Sequence, residues 1–308
     1  MSAISVIICT HNPRPEYLRR VLDALKAQTL PEDQWELLLI DNASKEPLAK
    51  GFDLSWHRQG RHILEEELGL TPARLRGIKE SKGELLVFVD DDNVLEANYL
   101  FECITLAKKY SFIGSFGGQV VPEYEVPLGE DIKPFLYYLL INEFDEIKWS
   151  NVLNFHETTP SGAGMCIRRE VVNDYLQLVT TDMRRKELDR KGESVFAGGD
   201  KDMALCSRRV GLGMGMFPSL RLIHLIPQKR LTESFFLKAA YGGAYSSTLL
   251  DYLYGLRESP RRETFLRRGI ALLRQLKRSH FERRLAAEQR KGESRAWELI
   301  QKWNQQSS

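Results

Sequence analysis

Three consecutive aspartates, Asp90-Asp91-Asp92, follow the apolar run Leu85-Leu86-Val87-Phe88-Val89. Like charges held within a few ångströms repel, and a bound cation relieves them. Hard oxygen ligands with few other side chains suit Mg²⁺ or Mn²⁺, ions that complete their octahedra with substrate phosphates and waters. The alternative is an acidic turn in solvent, capping a helix at Asn93. Two further apolar runs also end in polar side chains. Ile4-Ser5-Val6-Ile7-Ile8-Cys9 leads to Thr10-His11-Asn12, and Leu37-Leu38-Leu39-Ile40 leads to Asp41-Asn42. A second acidic pair, Asp200 and Asp202, follows Gly198-Gly199, and His224 precedes Pro227, Lys229 and Arg230. The plainer readings are helix caps for the two aspartates, a packed or surface role for His224, and a solvated charge pair for Lys229 and Arg230.

The elements that would position these residues follow from periodicity. Short β-branched apolar runs are the pattern of strands buried on both faces of a parallel sheet. Between them, Glu16 to Gln28 carries Leu18, Val21, Leu22 and Leu25 at helical spacing, and Pro72 to Ser81 reads as a basic helix. Strand, helix, strand, repeated, predicts an α/β fold with an open, mainly parallel sheet, which binds ligands at the carboxyl ends of its strands. The second half is less regular. Phe112 to Val121, Met165 to Ile167 and Arg221 to His224 read as strands, and Asp202 to Val210 as a helix. Beyond Leu231 the pattern is helical, with Phe265, Leu266, Ile270, Leu273, Leu276 and Phe281 forming an apolar stripe among arginines.

The 308 residues are 43% hydrophobic, enough for one large α/β domain with a helical appendage. A formal net charge of +2 gives no general attraction to nucleic acid, and none is expected as a partner. The charge is uneven: from Arg257 onward basic residues exceed acidic ones about two to one, including Arg261-Arg262, Arg267-Arg268, Lys277-Arg278 and Arg283-Arg284. Cys9, Cys103, Cys166 and Cys206 lack metal or redox spacing and read as reduced thiols. The chain enters a strand at Ile4 without a secretory pattern, and the apolar stretch Phe235 to Leu256 carries Lys238 and Asp251 and is interrupted by Gly242-Gly243. A cytoplasmic protein is expected.

Taken in order, Ile4 to Asn12, Leu37 to Ser44, Gly69 to Gly83 and Leu85 to Asn93 resemble the nucleotide-binding half of GT-A glycosyltransferases, in particular the inverting family 2. Ser161 to Arg169 and Ala197 to Met203 resemble that family's acceptor-side motifs, so the likeness covers roughly residues 3 to 230. It implies a GT-A α/β domain over 1–230, with about 1–120 binding nucleotide-sugar and about 121–230 facing the acceptor, followed by a basic amphipathic helical extension over 231–308.

The resemblance also implies roles. Asp90 and Asp92 match the family's D-x-D, so Asp90 is expected near ribose and metal and Asp92 on a Mg²⁺ or Mn²⁺ that bridges the diphosphate, with His224 as a third metal ligand. Asp41 matches the nucleobase-binding aspartate, which suits the imide N–H of uracil or thymine; by itself it also reads as a loop aspartate turning with Ala43-Ser44. Thr10, Asn12, Arg14 and Asp91 are expected at the nucleotide, and Arg74 at the diphosphate or the aspartate cluster. Asp200 is expected to be the general base, and Asp202 to orient the following helix. Lys229 and Arg230 would belong to a loop closing over the diphosphate. The sequence departs from the family pattern at three places: Leu75 follows Arg74 where asparagine is usual, Pro13 is inserted before Arg14, and Gly199 replaces a glutamate.

The expected activity is transfer of a sugar, UDP-linked on the strength of Asp41, to a hydroxyl of a saccharide or lipid-linked acceptor, with inversion, in polysaccharide or glycoconjugate biosynthesis. Peripheral contact with the inner face of the cell membrane through the basic C-terminal helices is also expected. Two alternatives remain open: a non-catalytic nucleotide-sugar-binding protein, and a sugar-phosphate nucleotidyltransferase, whose glycine-rich first loop is not matched by Thr10-His11-Asn12-Pro13.

Overall fold

The computed structural model describes residues 3–130, 132–153, 157–189, 198–260 and 278–306. They form two compact units, one from Met1–Lys186 with Gly199–Pro227, the other from Glu187–Gly198 with Gln228–Ser308.

The first unit holds a mixed sheet. Its strands are β1 (Ile4–Thr10), β2 (Trp35–Asn42), β3 (Gly60–Glu65), β4 (Leu85–Val89), β5 (Asn93–Leu95), β6 (Ile113–Tyr124), β7 (Lys148–Ser150), β8 (Cys166–Arg168) and β9 (Gly213–Ile226), in the order β3-β2-β1-β4-β8-β6-β9-β5 with β7 also paired to β9. β3, β2, β1 and β4 run parallel, as the buried apolar runs predict. The other half is not parallel throughout, because β8 lies antiparallel between β4 and β6, and β5 and β7 lie antiparallel to β9.

Alternation along β1 divides the helices between two faces. Ile4, Val6 and Ile8 share a core with Leu37 and Leu39, with Leu18, Val21, Leu22 and Leu25 of α1 (Pro15–Lys26), and with Leu100, Cys103 and Leu106 of α3 (Tyr99–Lys109). Ile7 and Ile40 face the other way, against Gly77 of α2 (Leu70–Glu80). The same face carries α5 (Gly199–Arg209), since Phe116 faces the first core while its neighbour Ser115 donates to the Ala204 carbonyl. Each fully buried Leu, Ile or Val here contributes about 1.5–3 kcal/mol relative to exposure. α4 (Arg169–Thr181) follows β8 directly, and the Arg169 guanidinium anchors its start on the Gly83 carbonyl at 2.6 and 2.9 Å.

Several boundaries differ from the periodicity reading. α5 begins at Gly199 rather than Asp202, so Asp200 and Asp202 stand inside its first turn. β9 runs for 14 residues, well beyond the Arg221 to His224 expected, because both β6 and the short β5 and β7 need it as a partner. In the second unit, α6 (Glu233–Leu253) is helical, as the pattern beyond Leu231 predicts, and continues through Gly242-Gly243, the pair that interrupts the apolar stretch. Helix packing supports this continuity: Gly292 of α7 (His280–Gln306) leaves room for the Tyr241 carbonyl, which a Cβ there would meet at 2.2 Å. The α6 and α7 interface buries Tyr245, Leu249, Leu250, Ala296, Trp297, Ile300 and Trp303. Of the expected apolar stripe, Phe265, Leu266, Ile270, Leu273 and Leu276 lie outside the described residues, as do Arg261, Arg262, Arg267, Arg268 and Lys277 of the basic run. Among the described residues no helix is long and apolar enough to cross a membrane.

Candidate active site

The parallel register sets the carboxyl ends of β1, β2 and β4 side by side: Thr10 pairs with Asp41, and Ile8 with Val89, the residue before the aspartate triplet. The three polar strand ends singled out in the sequence therefore emerge together at the carboxyl ends of the parallel strands, which is where open α/β sheets bind ligands.

The first contacts are between the clusters themselves. The Thr10 hydroxyl donates to Asp91 Oδ2, so these two residues, both expected at the nucleotide, hold each other across β1 and β4. Asn12 adopts a left-handed backbone with φ 48°, accepts the Lys45 N–H on Oδ1 at 2.9 Å, and donates its own N–H to the Ser44 hydroxyl at 3.0 Å. Asp41 is buried, and its two carboxylate oxygens accept the N–H groups of Ser44 and Leu48, each at 3.0 Å. The turn geometry that the sequence allows for Asp41 is thus present. It occupies one lone pair on each oxygen and leaves the others.

Asn42 is a positioning residue that the sequence reading passed over. Its amide donates to the carbonyls of Glu65 and Glu67 at 3.3 and 2.8 Å, and its oxygen accepts the Gly69 N–H at 2.8 Å. These bonds fix the loop that opens α2 and hence aim Arg74. The signal was its place beside Asp41 at a strand end, where an amide can bridge two chain segments.

The third aspartate meets the histidine expected beside it. Asn93 at the start of β5 pairs with His224 on β9, which brings His224 Nε2 to 3.6 Å from Asp92 Oδ2, with both side chains 9% exposed. Asp90 and Asp91 are half-buried. Among the described residues no three or more His, Cys, Asp or Glu side chains are grouped to hold a metal ion. Asp92 and His224 instead present one oxygen and one nitrogen, a partial set. That fits Mg²⁺ or Mn²⁺, which commonly take one or two protein ligands and complete the shell with phosphates and water, and the imidazole favours Mn²⁺ of the two.

Arg14 is held on the surface by Glu125 at 2.9 Å and Glu16 at 3.0 Å, with its guanidinium 4.5 Å from the Tyr17 ring centre. Arg14 is the N-cap residue of α1, with Pro15 at the first helical position.

On the acceptor-side motifs, Asp200 is buried in the first turn of α5. Its Oδ2 accepts the Gly162 N–H at 2.8 Å and its Oδ1 the Lys201 N–H at 2.9 Å. Arg74, also buried, reaches the same place from α2: a Cβ on Gly162 would lie 2.6 Å from Arg74 Nη2 and 3.3 Å from Asp200 Oδ2. Only hydrogen at that position lets the guanidinium and the carboxylate converge. Gly164, with φ 71°, offers its carbonyl to the Tyr99 hydroxyl at 2.7 Å.

Asp202 has a partner that the sequence did not reveal. Beyond its place in the first turn of α5, it is fully buried and ion-paired with Arg185, itself buried. In sequence Arg185 stands within Arg184-Arg185-Lys186, a run indistinguishable from a solvated charge cluster. Lys186 binds Glu67 at 3.0 Å, tying this segment to the loop that Asn42 holds. Lys229 and Arg230 sit in a 3-10 turn, Gln228–Leu231, that belongs to the second unit.

Residues 5–176 match the model of glycosyl transferase family 2. The chain belongs to that family. It is similar to "Glycosyltransferase AglE" of Haloferax volcanii, at 34% identity over 92 residues that cover 29% of this chain and 30% of the relative. It is also similar to "Glycosyltransferase GlyA" of Streptococcus pneumoniae, at 28% identity over half of this chain and 22% of the relative. The matched stretches thus span less than a third of each curated relative. Among solved structures it resembles S. aureus TarS 1-349 in complex with UDP-GlcNAc, with TM-score 0.54 and 14% identity, covering 80% of this chain and 66% of that one. A second structure of S. aureus TarS gives TM-score 0.51 at 14% identity, covering 82% of this chain and 44% of that one. At such identity the likeness speaks for the fold, that of a GT-A glycosyltransferase.

Proposed function

We propose that this glycosyltransferase moves a sugar from a UDP-linked donor to an acceptor hydroxyl with inversion of configuration, using Mn²⁺ or Mg²⁺. The observation that carries the reading is the division of buried charge: Asp92 and His224 at 3.6 Å on one side, and Asp200, bound by the Gly162 N–H beside Arg74, on the other. Asp92 and His224, with Asp90 near them, would hold a divalent ion, which would supply charge neutralisation for a departing diphosphate. Thr10, Asn12, Asp41 and Asp91 line the nucleotide side. The free lone pairs of Asp41 can accept the N3–H of uracil, and a complex of TarS with UDP-GlcNAc lends weight to a uridine donor.

Inverting transfer needs one carboxylate to take the acceptor proton and no enzyme nucleophile. Asp200 has both oxygens held by backbone N–H groups, which orients the carboxylate, and each oxygen keeps a lone pair for the acceptor hydroxyl. The Arg74 guanidinium stands beside this carboxylate, across Gly162. A saccharide or lipid-linked acceptor, a role in polysaccharide or glycoconjugate biosynthesis, and a cytoplasmic location with peripheral membrane contact complete the reading. In α7 several basic residues are already matched, Arg284 by Glu233, Lys291 by Glu288 and Arg295 by Glu298, so the membrane contact rests on the basic run before it. Incubation of nucleotide sugars with Mn²⁺ and candidate acceptors, read by released nucleoside diphosphate and by NMR of the product anomer, tests the proposal. An inverted product from a uridine donor is expected; a retained configuration or a clear preference for GDP-sugars overturns it.

A further inference from the structure

β5 opens on a polar residue in a place buried like the core. Asn93 is 1% exposed and directly follows Asp92, where the chain leaves the carboxyl end of β4. Its backbone N–H donates to the Asp90 carbonyl at 3.1 Å, which closes the turn that carries the three aspartates. Its side-chain Nδ2 donates to Asp92 Oδ1 at 3.2 Å. An ionised carboxylate only accepts hydrogen bonds, so the amide nitrogen is the atom that must be turned toward it. The amide oxygen, Oδ1 of Asn93, is then left buried without a hydrogen-bond partner.

A buried carbonyl without a partner is destabilising, and an apolar side chain in this strand would not carry that cost. What the amide provides instead is the orientation of Asp92. The Asp92 backbone carbonyl accepts the Leu225 N–H of β9 at 2.8 Å, so the main chain is anchored on one side and the carboxylate on the other. With Oδ1 bound by the Asn93 amide, Oδ2 is the oxygen that faces His224 Nε2, at 3.6 Å. The pairing of Asn93 with His224 across β5 and β9 means that one short ladder sets both groups. Carboxylates that bind metal ions are commonly oriented by hydrogen bonds of this kind, and losing such a bond weakens metal binding without removing a ligand.

We propose that Asn93 is a positioning residue for the divalent ion of the donor site, holding Asp92 so that Oδ2 is presented together with His224; this rests on the reading of Asp92 and His224 as the metal ligands. The test compares wild type with Asn93→Leu, which keeps the forked four-atom side chain, and with Asn93→Ala, which leaves a cavity. Mn²⁺ affinity of the full-length protein in saturating UDP is read from the electron paramagnetic resonance signal of free Mn²⁺, and UDP affinity in excess chelator by calorimetry. Both variants should bind Mn²⁺ about 10–100-fold more weakly, with UDP affinity in chelator within about twofold of wild type. Asn93→Ala should have the lower Tm of the two, so equal losses of Mn²⁺ affinity at unequal stability assign the effect to the lost amide rather than to packing. Wild-type Mn²⁺ affinity in Asn93→Leu, a loss that follows Tm, or an equal loss of UDP affinity in chelator overturns the proposal while leaving the metal reading in place. Failure of the wild-type protein to bind Mn²⁺ overturns both.

Discussion

The Gly162 backbone N–H donates to Asp200 Oδ2 at 2.8 Å, and this bond joins the glycine-containing segment Ser161 to Gly164 to the buried carboxylate of α5. The hydrogen on Gly162 Cα is also what admits Arg74, whose Nη2 would stand 2.6 Å from a Cβ there. Gly162→Ala should thus act on function more than on stability. Gly162 is not among the positive-φ glycines, and the clashing atom is the far end of a flexible side chain that can swing aside. Turnover is expected to fall by about 10²-fold, the cost of roughly an ångström of misplacement, with Tm little changed. Wild-type turnover in the variant would show that the convergence of Arg74 and Asp200 has no part in catalysis.

The Arg185 and Asp202 pair carries the opposite expectation. Their side chains are 6% and 0% exposed, so removing one charge strands the other away from water. Asp202→Ala should cost about 3–5 kcal/mol in chemical denaturation, and Arg185→Met with Asp202→Leu should recover most of it. A loss below 1 kcal/mol in the single variant would mean that water reaches the pair.

Alkaline pH should weaken the fold. Burial pushes the thiols of Cys103 and Cys206 up, and burial followed by Glu187 raises Tyr245 to about 12. Groups whose folded pKa lies above the unfolded value add stability that is complete below the unfolded pKa and lost as pH rises through the folded one. The urea midpoint should therefore decline once pH passes about 8.5, the unfolded thiol value, and decline further above about 10, where unfolded tyrosine ionises. A midpoint that holds or rises between pH 9 and pH 11 would contradict this. In the native state only half-buried Cys9 should react with a thiol reagent.

The grouping of Thr10, Asp41 and Asp91 was legible in the sequence because each stands at the end of an apolar run, and parallel register then brings those ends together. His224 was legible for the same reason, although the strand carrying it was read too short. The pairing of Asp200 with the Gly162 segment was suggested only by the resemblance to family 2, since nothing local distinguishes Asp200 from a helix cap. Asn42, Arg185 and Gly162's close approach were not readable, because their roles depend on partners 27, 17 and 38 residues away. β8 was readable as a strand from its apolar run, but its antiparallel direction was not, because three residues carry nothing that fixes the direction of a strand.

Metal dependence should pass through Asp92. Asp92→Ala is expected to abolish donor turnover and the Mn²⁺-dependent part of UDP affinity, and His224→Ala to weaken that part. Calorimetric titration of UDP with Mn²⁺ and with chelator separates the two contributions. Full activity of Asp92→Ala in excess chelator would remove the metal from the account.

The measurement that bears most directly on the division between donor and acceptor machinery is the effect of Asp200→Asn on donor affinity and turnover together. Asparagine keeps the size of the side chain and an oxygen for the Gly162 N–H, and Asp41, Asp92 and His224 are untouched. Donor affinity by calorimetry should stay within about twofold, while kcat falls by about 10²–10⁴, as for loss of a positioned base. Loss of donor affinity and turnover in step would place Asp200 with the diphosphate instead, and an unchanged kcat would show that another group takes the acceptor proton.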